Sequence, residues 1–193
     1  MVVLIISIQI LKTSYKLKSF KKESDSIIDF KVDLEIKEYL FLLSYSIFGD
    51  ISEIIIPYIE NFTSNYQRKD ELWKTTCFEL FIANKIDKSY FEINVSPDYG
   101  YNTYSFNDYR YGMKEEGSLS IKNIEKIKDN NKFNLKFILK SENLINIDNL
   151  LVNISSVIKY NNGKTEHWAL NHSADKADFH DFNYFHDFTK KKH

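Results

Sequence analysis

The sequence predicts an all-β fold, an antiparallel β-sandwich, built as a single domain spanning 1–193. Three observations predict it. Ile, Val, Phe and Tyr dominate while alanine is scarce, so strand preference outweighs helix preference. Short runs with period-two alternation recur along the chain, separated by turn residues. Only five glycines and two prolines occur in 193 residues, so no flexible linker divides the chain.

The elements follow in order. "MVVLIISIQILK" is read as a β-branched first strand. It carries no positive charge before its apolar run and no small-residue cleavage site after it, and it is too short to span a bilayer. This favours a cytoplasmic protein; the alternative is export, with that run as the signal. "IIDFKVDLEI" and "EYLFLLSYSIF" form a hairpin. "GDISEIIIP" is a short strand stopped by Pro57, and 58–70 is a long connection. Strands follow at "TCFELFIA", "SYFEINVSP", "GYNTYSFNDY", "SLSIKNIEKIKD", "NKFNLKFILK", "LLVNISSVIKY" and "KTEHWALNH". "DNNK" is a hairpin turn because Asn and Asp tolerate positive φ, and Asn162-Gly163 supplies another. "SENLINIDNL" reads as a short helical turn capped by Ser141. The tail 190–193 reads as solvated and mobile, and the motif-bearing stretch is about 27–185.

Charge and cysteine content narrow the function. A net charge of -1 and a pI near 6.5 argue against a nucleic-acid partner, and Arg68 and Arg110 are the only arginines. No membrane partner is expected, and the oligomeric state is left open. Cys77 is the only cysteine, so neither an internal disulfide nor a cysteine-rich zinc knuckle can form, and a reducing compartment follows. Mid-strand beside Phe78, it suits a small buried hydrophobe better than a reactive thiolate. There is no P-loop, dinucleotide fingerprint or nucleophile elbow.

The chemistry-bearing feature is a pair of acids inside apolar strands. Alternate side chains of a strand share a face. Phe78, Leu80 and Ile82 take one face; Cys77, Glu79 and Phe81 take the other. In the next strand Phe91, Ile93 and Val95 oppose Glu92, Asn94 and Ser96. Aligned apolar rows put Glu79, Glu92 and Asn94 on one face, directly opposite or diagonal. Buried like charges need an offset: an arginine bridge, a shared proton, a metal or a ligand. Arg110 is the available arginine and can bond two carboxylates at once. The readings are a structural ion network, a polar cluster binding ligand hydroxyls, or a catalytic carboxylate pair.

Trp73 and Trp168, the only two tryptophans, are either edge-of-core residues or stacking plates for a sugar ring, whose C–H face suits an indole. His167, His172, His180 and His186 lie near Asp175, Asp178, Asp181 and Asp187. Asp178 and His180 could share a metal, but no spacing matches a zinc or EF-hand motif; the plain reading is a histidine-rich surface loop.

"LWKTTCFELFIA", "YFEINVSPDYGYNTYSFNDYRYGM" and "HWALNHSADKADFHDFNYF" together resemble bacterial DOMON-like proteins, relatives of the family 9 carbohydrate-binding modules of xylanases. The resemblance covers roughly Ile27 to Phe185 in blocks. It implies a jelly-roll-like β-sandwich with a ligand site on one face. It also implies that Trp73, Glu79 and Asn94 hold a sugar, with Trp168 as second plate. The arginine that stands beside the asparagine in many xylanase modules is missing; Glu92 lies in that stretch, and Arg110 substitutes. The xylanase modules also bind calcium, which admits calcium here without assigning ligands; otherwise no cofactor is expected. Some DOMON relatives bind haem, which the few methionines and absent attachment motif disfavour.

The sequence therefore leads to a non-catalytic sandwich binding a carbohydrate or similar polyol. Its candidate ligand residues are Trp73, Glu79, Glu92, Asn94, Arg110, Trp168 and His172, with the metal question open. The alternatives are a hydrolytic or metal-assisted enzyme using Glu79/Glu92 or His172/His180, and a protein-interaction module anchored by the tryptophans.

Overall fold

A computed structural model describes residues 10–20, 28–59, 66–143, 147–173 and 175–187. Most of the apolar first run, residues 1–9, and the tail 188–193 lie outside them. The strands are β1 (Ile10–Lys16), β2 (Lys18–Ser19), β3 (Ile28–Lys37), β4 (Leu40–Gly49), β5 (Gln67–Arg68), β6 (Cys77–Asn84), β7 (Tyr90–Val95) and β8 (Gly100–Phe106). They continue as β9 (Lys114–Glu115), β10 (Leu119–Asp129), β11 (Lys132–Ser141), β12 (Leu150–Lys159), β13 (Thr165–Ala169) and β14 (His186–Asp187).

Two sheets form. One has the order β1-β3-β4-β11-β10; the other runs β2-β13-β12-β6-β7-β8-β5, with β14 on β12 and β9 on β8. Pairing is antiparallel except for the two-residue β5, which runs parallel to β8. The sheets pack face to face as a β-sandwich. Val32, Leu34, Leu43 and Phe137 of the first sheet meet Phe78, Leu80, Ile93 and Ile154 of the second in one apolar cluster. Alternation is the cause: β3 is buried at every second residue from Ile28 to Ile36, and its intervening residues are exposed or half-buried.

Hairpins form where expected, but the turn chemistry differs in part. Gly163 takes a positive φ of 83° between β12 and β13. Asn130 and Asn131 close the β10–β11 turn, yet the described non-glycine residues with positive φ are Glu38, Glu71, Tyr99 and Arg110. "GDISEIIIP" does not form a strand. It makes only an isolated bridge from Ile54 to Tyr160, as Ile51 and Ile54 turn inward to cap the core. Ser141 ends β11 and its hydroxyl accepts from Asn143 N–H; the helical turn there is the later 3₁₀ turn Ile147–Asn149. No described helix is long and apolar enough to cross a membrane.

One feature of the second sheet positions the site. Its outer face is also largely apolar: Phe81, Tyr90, Tyr104, Phe106 and Val157 are buried there against Phe179 and Phe185. The segment 175–187 therefore lies across this face and makes the second apolar layer that encloses the glutamates.

Candidate functional site

Glu79 on β6 faces Asn94 across the strand pair, and Phe81 faces Glu92 on β7. The two acids therefore sit on one face, on a diagonal. Glu79 is 2% exposed and Glu92 6%. Ser155 Oγ donates to Glu79 Oε2 at 3.0 Å, and Asn94 Nδ2 donates to Glu92 Oε1 at 2.7 Å. The Oδ1 of Asn94, a fully buried residue, has no hydrogen-bond partner.

Burial and mutual repulsion push the Glu79 carboxyl well above the ordinary carboxylate range, against the pull of Ser155 and Arg110. Burial likewise raises Glu92, against Asn94 and Arg110. Glu79, at about 8, is therefore protonated at neutral pH, and Glu92 is shifted in the same direction. His180 Nε2 approaches Glu92 Oε2 at 3.9 Å, but this is no ion pair at neutral pH. Burial, then the nearby Arg110 charge, drop the imidazole to about 4, so it is neutral.

The 175–187 segment is fixed to the sheet by polar contacts. Tyr90 Oη accepts from Arg110 N–H at 3.1 Å and lies 2.7 Å from His180 Nδ1. We assign the tyrosyl hydrogen to Nδ1, which leaves the Nε2–H tautomer facing Glu92. Asn153 Nδ2 donates to the Phe179 carbonyl at 2.9 Å. Asp178 accepts from Arg110 Nη2 at 2.9 Å and from the Tyr109 hydroxyl. Burial tends to raise the Asp178 carboxyl, but these bonds outweigh it and hold it at about 2.

Arg110 itself is in the left-handed region, with φ 51°, and its side chain is half exposed. Its turn is closed by Tyr111 N–H bonding the Asp108 carbonyl and Asn107 N–H bonding the Tyr111 carbonyl. Gly112, with φ 74°, follows because a Cβ there would meet Asn107 Nδ2 at 2.6 Å.

These parts enclose an open cleft of about 380 Å³, lined by Trp73, Glu79, Glu92, Phe106, Arg110, Met113, Val157, His167, Ala177, Phe179 and His180. Trp73 comes from a 3₁₀ turn, Leu72–Lys74, and packs edge-on to Tyr104 at 5.9 Å between ring centres. The cleft has an aromatic rim and an acidic floor.

The structure brings Trp73, Glu79, Glu92 and Arg110 to this cleft, with Asn94 beside the acids. Three expectations need correction. Trp168 is no second plate. It is 4% exposed in the sandwich interior, its ring 5.8 Å from that of Phe30, with Nε1 donating to Glu166. The reason is parity: in β13 Trp168 points to the face opposite its neighbours His167 and Ala169. Arg110 does not bridge the two glutamates by hydrogen bonds; its Nη2 donates to Asp178 instead. His172 lies outside the cleft, with Nε2 2.7 Å from the Lys18 carbonyl and its ring 6.4 Å from Phe179. Among the described residues no group of three or more His, Cys, Asp or Glu is placed to hold a metal ion.

Phe106, Val157 and Phe179 were not foreseen as site residues. Phe106 was within reach of the argument used for the acids, since Glu92 faces Tyr104 and Phe106 shares its parity on β8. A second concavity, about 450 Å³, lies against the outer face of the five-stranded sheet. Lys12 pairs with Glu35 there at 2.9 Å and Ser14 Oγ donates to Asp33, and Phe137, the one aromatic residue along it, has its ring in the sandwich core.

No protein-family model and no curated protein matches the chain. Solved structures that the chain resembles include the following two. One is a protein of Bacteroides uniformis, provisionally named as carbohydrate-binding: TM-score 0.58, 10% identity, covering 90% of this chain and 84% of that one. The other is a family 9 carbohydrate-binding module from Caldicellulosiruptor kristjanssonii, solved with glucose: TM-score 0.48, 7% identity, covering 86% and 77%. At such identity the first similarity establishes the β-sandwich fold.

Proposed function

We propose that the chain is a non-catalytic, ligand-binding β-sandwich whose cleft takes a carbohydrate or similar polyol. One observation carries the reading: aromatic side chains and buried acids converge on a single open cleft, with Trp73, Phe106 and Phe179 beside Glu79, Glu92 and Arg110. A saccharide offers C–H faces to such rings and hydroxyl donors to such oxygens. The Bacteroides uniformis neighbour, by its name, is consistent with this. Descent from the DOMON-like group and a cytoplasmic setting belong to the same proposal; cell fractionation tests the latter.

Tryptophan fluorescence tests the function. Trp73 borders the cleft and Trp168 is sealed in the core, so ligand-induced quenching reports on Trp73 alone. Quenching by millimolar mono- or disaccharides that vanishes in Trp73→Ala supports the reading. No response to any saccharide, by fluorescence or calorimetry, rejects it.

One observation favours a second reading. Both acids are held toward the protonated state, which a general acid needs. Hydrolysis of aryl glycosides, lost in Glu79→Gln and Glu92→Gln, would establish an enzyme instead.

A further inference from the structure

In their ionised form the acids of the cleft have no counter-charge of their own. Arg110 is the cation that acts on both, and its Nη2 is already bonded to Asp178 at 2.9 Å, with half of the side chain in solvent. His180, the other basic group at the floor, is neutral at neutral pH. Asp178 by contrast receives two cations, with Lys176 Nζ at 3.5 Å as the second. Positive charge has thus been placed at the rim while the floor holds two nearly buried acids.

The hydrogen-bond inventory is equally lopsided. Glu79 accepts from Ser155 through Oε2, and Glu92 accepts from Asn94 through Oε1. The Oδ1 of Asn94, directly across from Glu79 in register, is buried and unpartnered. A buried acceptor without a donor costs about 1–3 kcal/mol; a carboxyl proton of the neighbouring acids can relieve it, and once both acids are ionised only a donor entering the cleft can. A neutral hydroxyl supplies one hydrogen to such a cluster. A primary ammonium supplies three, together with the missing charge.

We propose that the cleft is specific for a ligand bearing a protonated primary amine, an amino sugar being the form that also suits its aromatic rim. The amine sits between Glu79 and Glu92, with Asn94 Oδ1 as third acceptor. The saccharide part of this statement rests on the carbohydrate reading above; the amine part rests on the acids and the orphaned acceptor. The raised protonation of the two acids agrees with it, since a cation between them restores their ionised form.

Calorimetry of the full chain at neutral pH with glucosamine, glucose, N-acetylglucosamine and ethanolamine tests it. Glucosamine is expected to bind at least tenfold more tightly than glucose, and acetylation of its amine to remove the gain. Glu79→Gln and Glu92→Gln should each bring glucosamine down to the wild-type affinity for glucose; if either variant fails to fold, the wild-type series decides alone. Equal binding of glucosamine and glucose overturns the amine and leaves the carbohydrate reading standing. Ethanolamine binding as tightly as glucosamine, with no response to glucose, overturns the carbohydrate and supports the amine. No binding of any of the four overturns both.

Discussion

Glu79 and Glu92 stand on a diagonal across β6 and β7, on one face of the sheet, each almost wholly withdrawn from water. Strand pairing forces this relationship. Aligning Phe78, Leu80 and Ile82 with Ile93 and Val95 in the sandwich interior sends both acids outward together. Five consequences can be measured.

The first concerns alkaline stability. Folding raises both carboxyl groups above their unfolded values, so the native chain holds protons that the unfolded chain releases. Stability is therefore lost as pH rises from the ordinary carboxylate range through the raised values, by up to about 1.4 kcal/mol per pH unit for each group. Thermal melts of Glu79→Gln should show a shallower decline. The variant should exceed the wild type near pH 8 and not near pH 4. A parallel pair of curves would contradict the assigned protonation.

The second concerns acid. His180 is depressed from 6.5 to about 4, so below pH 6.5 the unfolded chain takes up a proton that the native one refuses. This contribution to stability is lost between those two values. Proton NMR should show the His180 ring untitrated between pH 8 and pH 5. A midpoint near 6.5 would refute its neutral, buried state.

A third prediction separates the tryptophans. Trp168→Ala opens the core beside Phe30 and should cost about 3–5 kcal/mol in urea titrations. Trp73→Ala removes a half-buried rim residue. Its stability loss should be smaller, while its ligand affinity should fall at least tenfold.

The fourth addresses Asp178. Asp178→Asn loses the ionic bond to Arg110 and weakens that from Tyr109. Because Arg110 is half exposed, the cost should be about 1–3 kcal/mol at neutral pH, less than for a fully buried pair. It should diminish as the pH approaches 2, where wild-type Asp178 is itself about half protonated.

The fifth tests the turn bearing Arg110. Gly112→Ala combines a positive φ with a clash against Asn107. It should destabilise by about 1–3 kcal/mol and weaken ligand binding, since the same turn carries Arg110. Unchanged binding would detach this turn from the site.

Legibility followed the range of the forces involved. The sandwich was readable because alternation is local: every second residue from Ile28 to Ile36 is apolar whatever the strand pairs with. The same parity put Glu79, Glu92 and Asn94 on one face. It failed for Trp168, where the aromatic chemistry of the residue was weighed above its alternation with His167 and Ala169.

By itself, the sequence determined that two acids share one face of an apolar sheet once the apolar rows of their strands align, because successive side chains in a strand point to opposite sides. Only the tertiary structure decided what those acids meet. The crossing of segment 175–187 over the outer face, the diversion of Arg110 to Asp178 and the neutrality of His180 depend on contacts between residues about 70 to 100 positions apart. No local pattern encodes such contacts, because they are selected by burial of the second apolar layer rather than by the period of any strand.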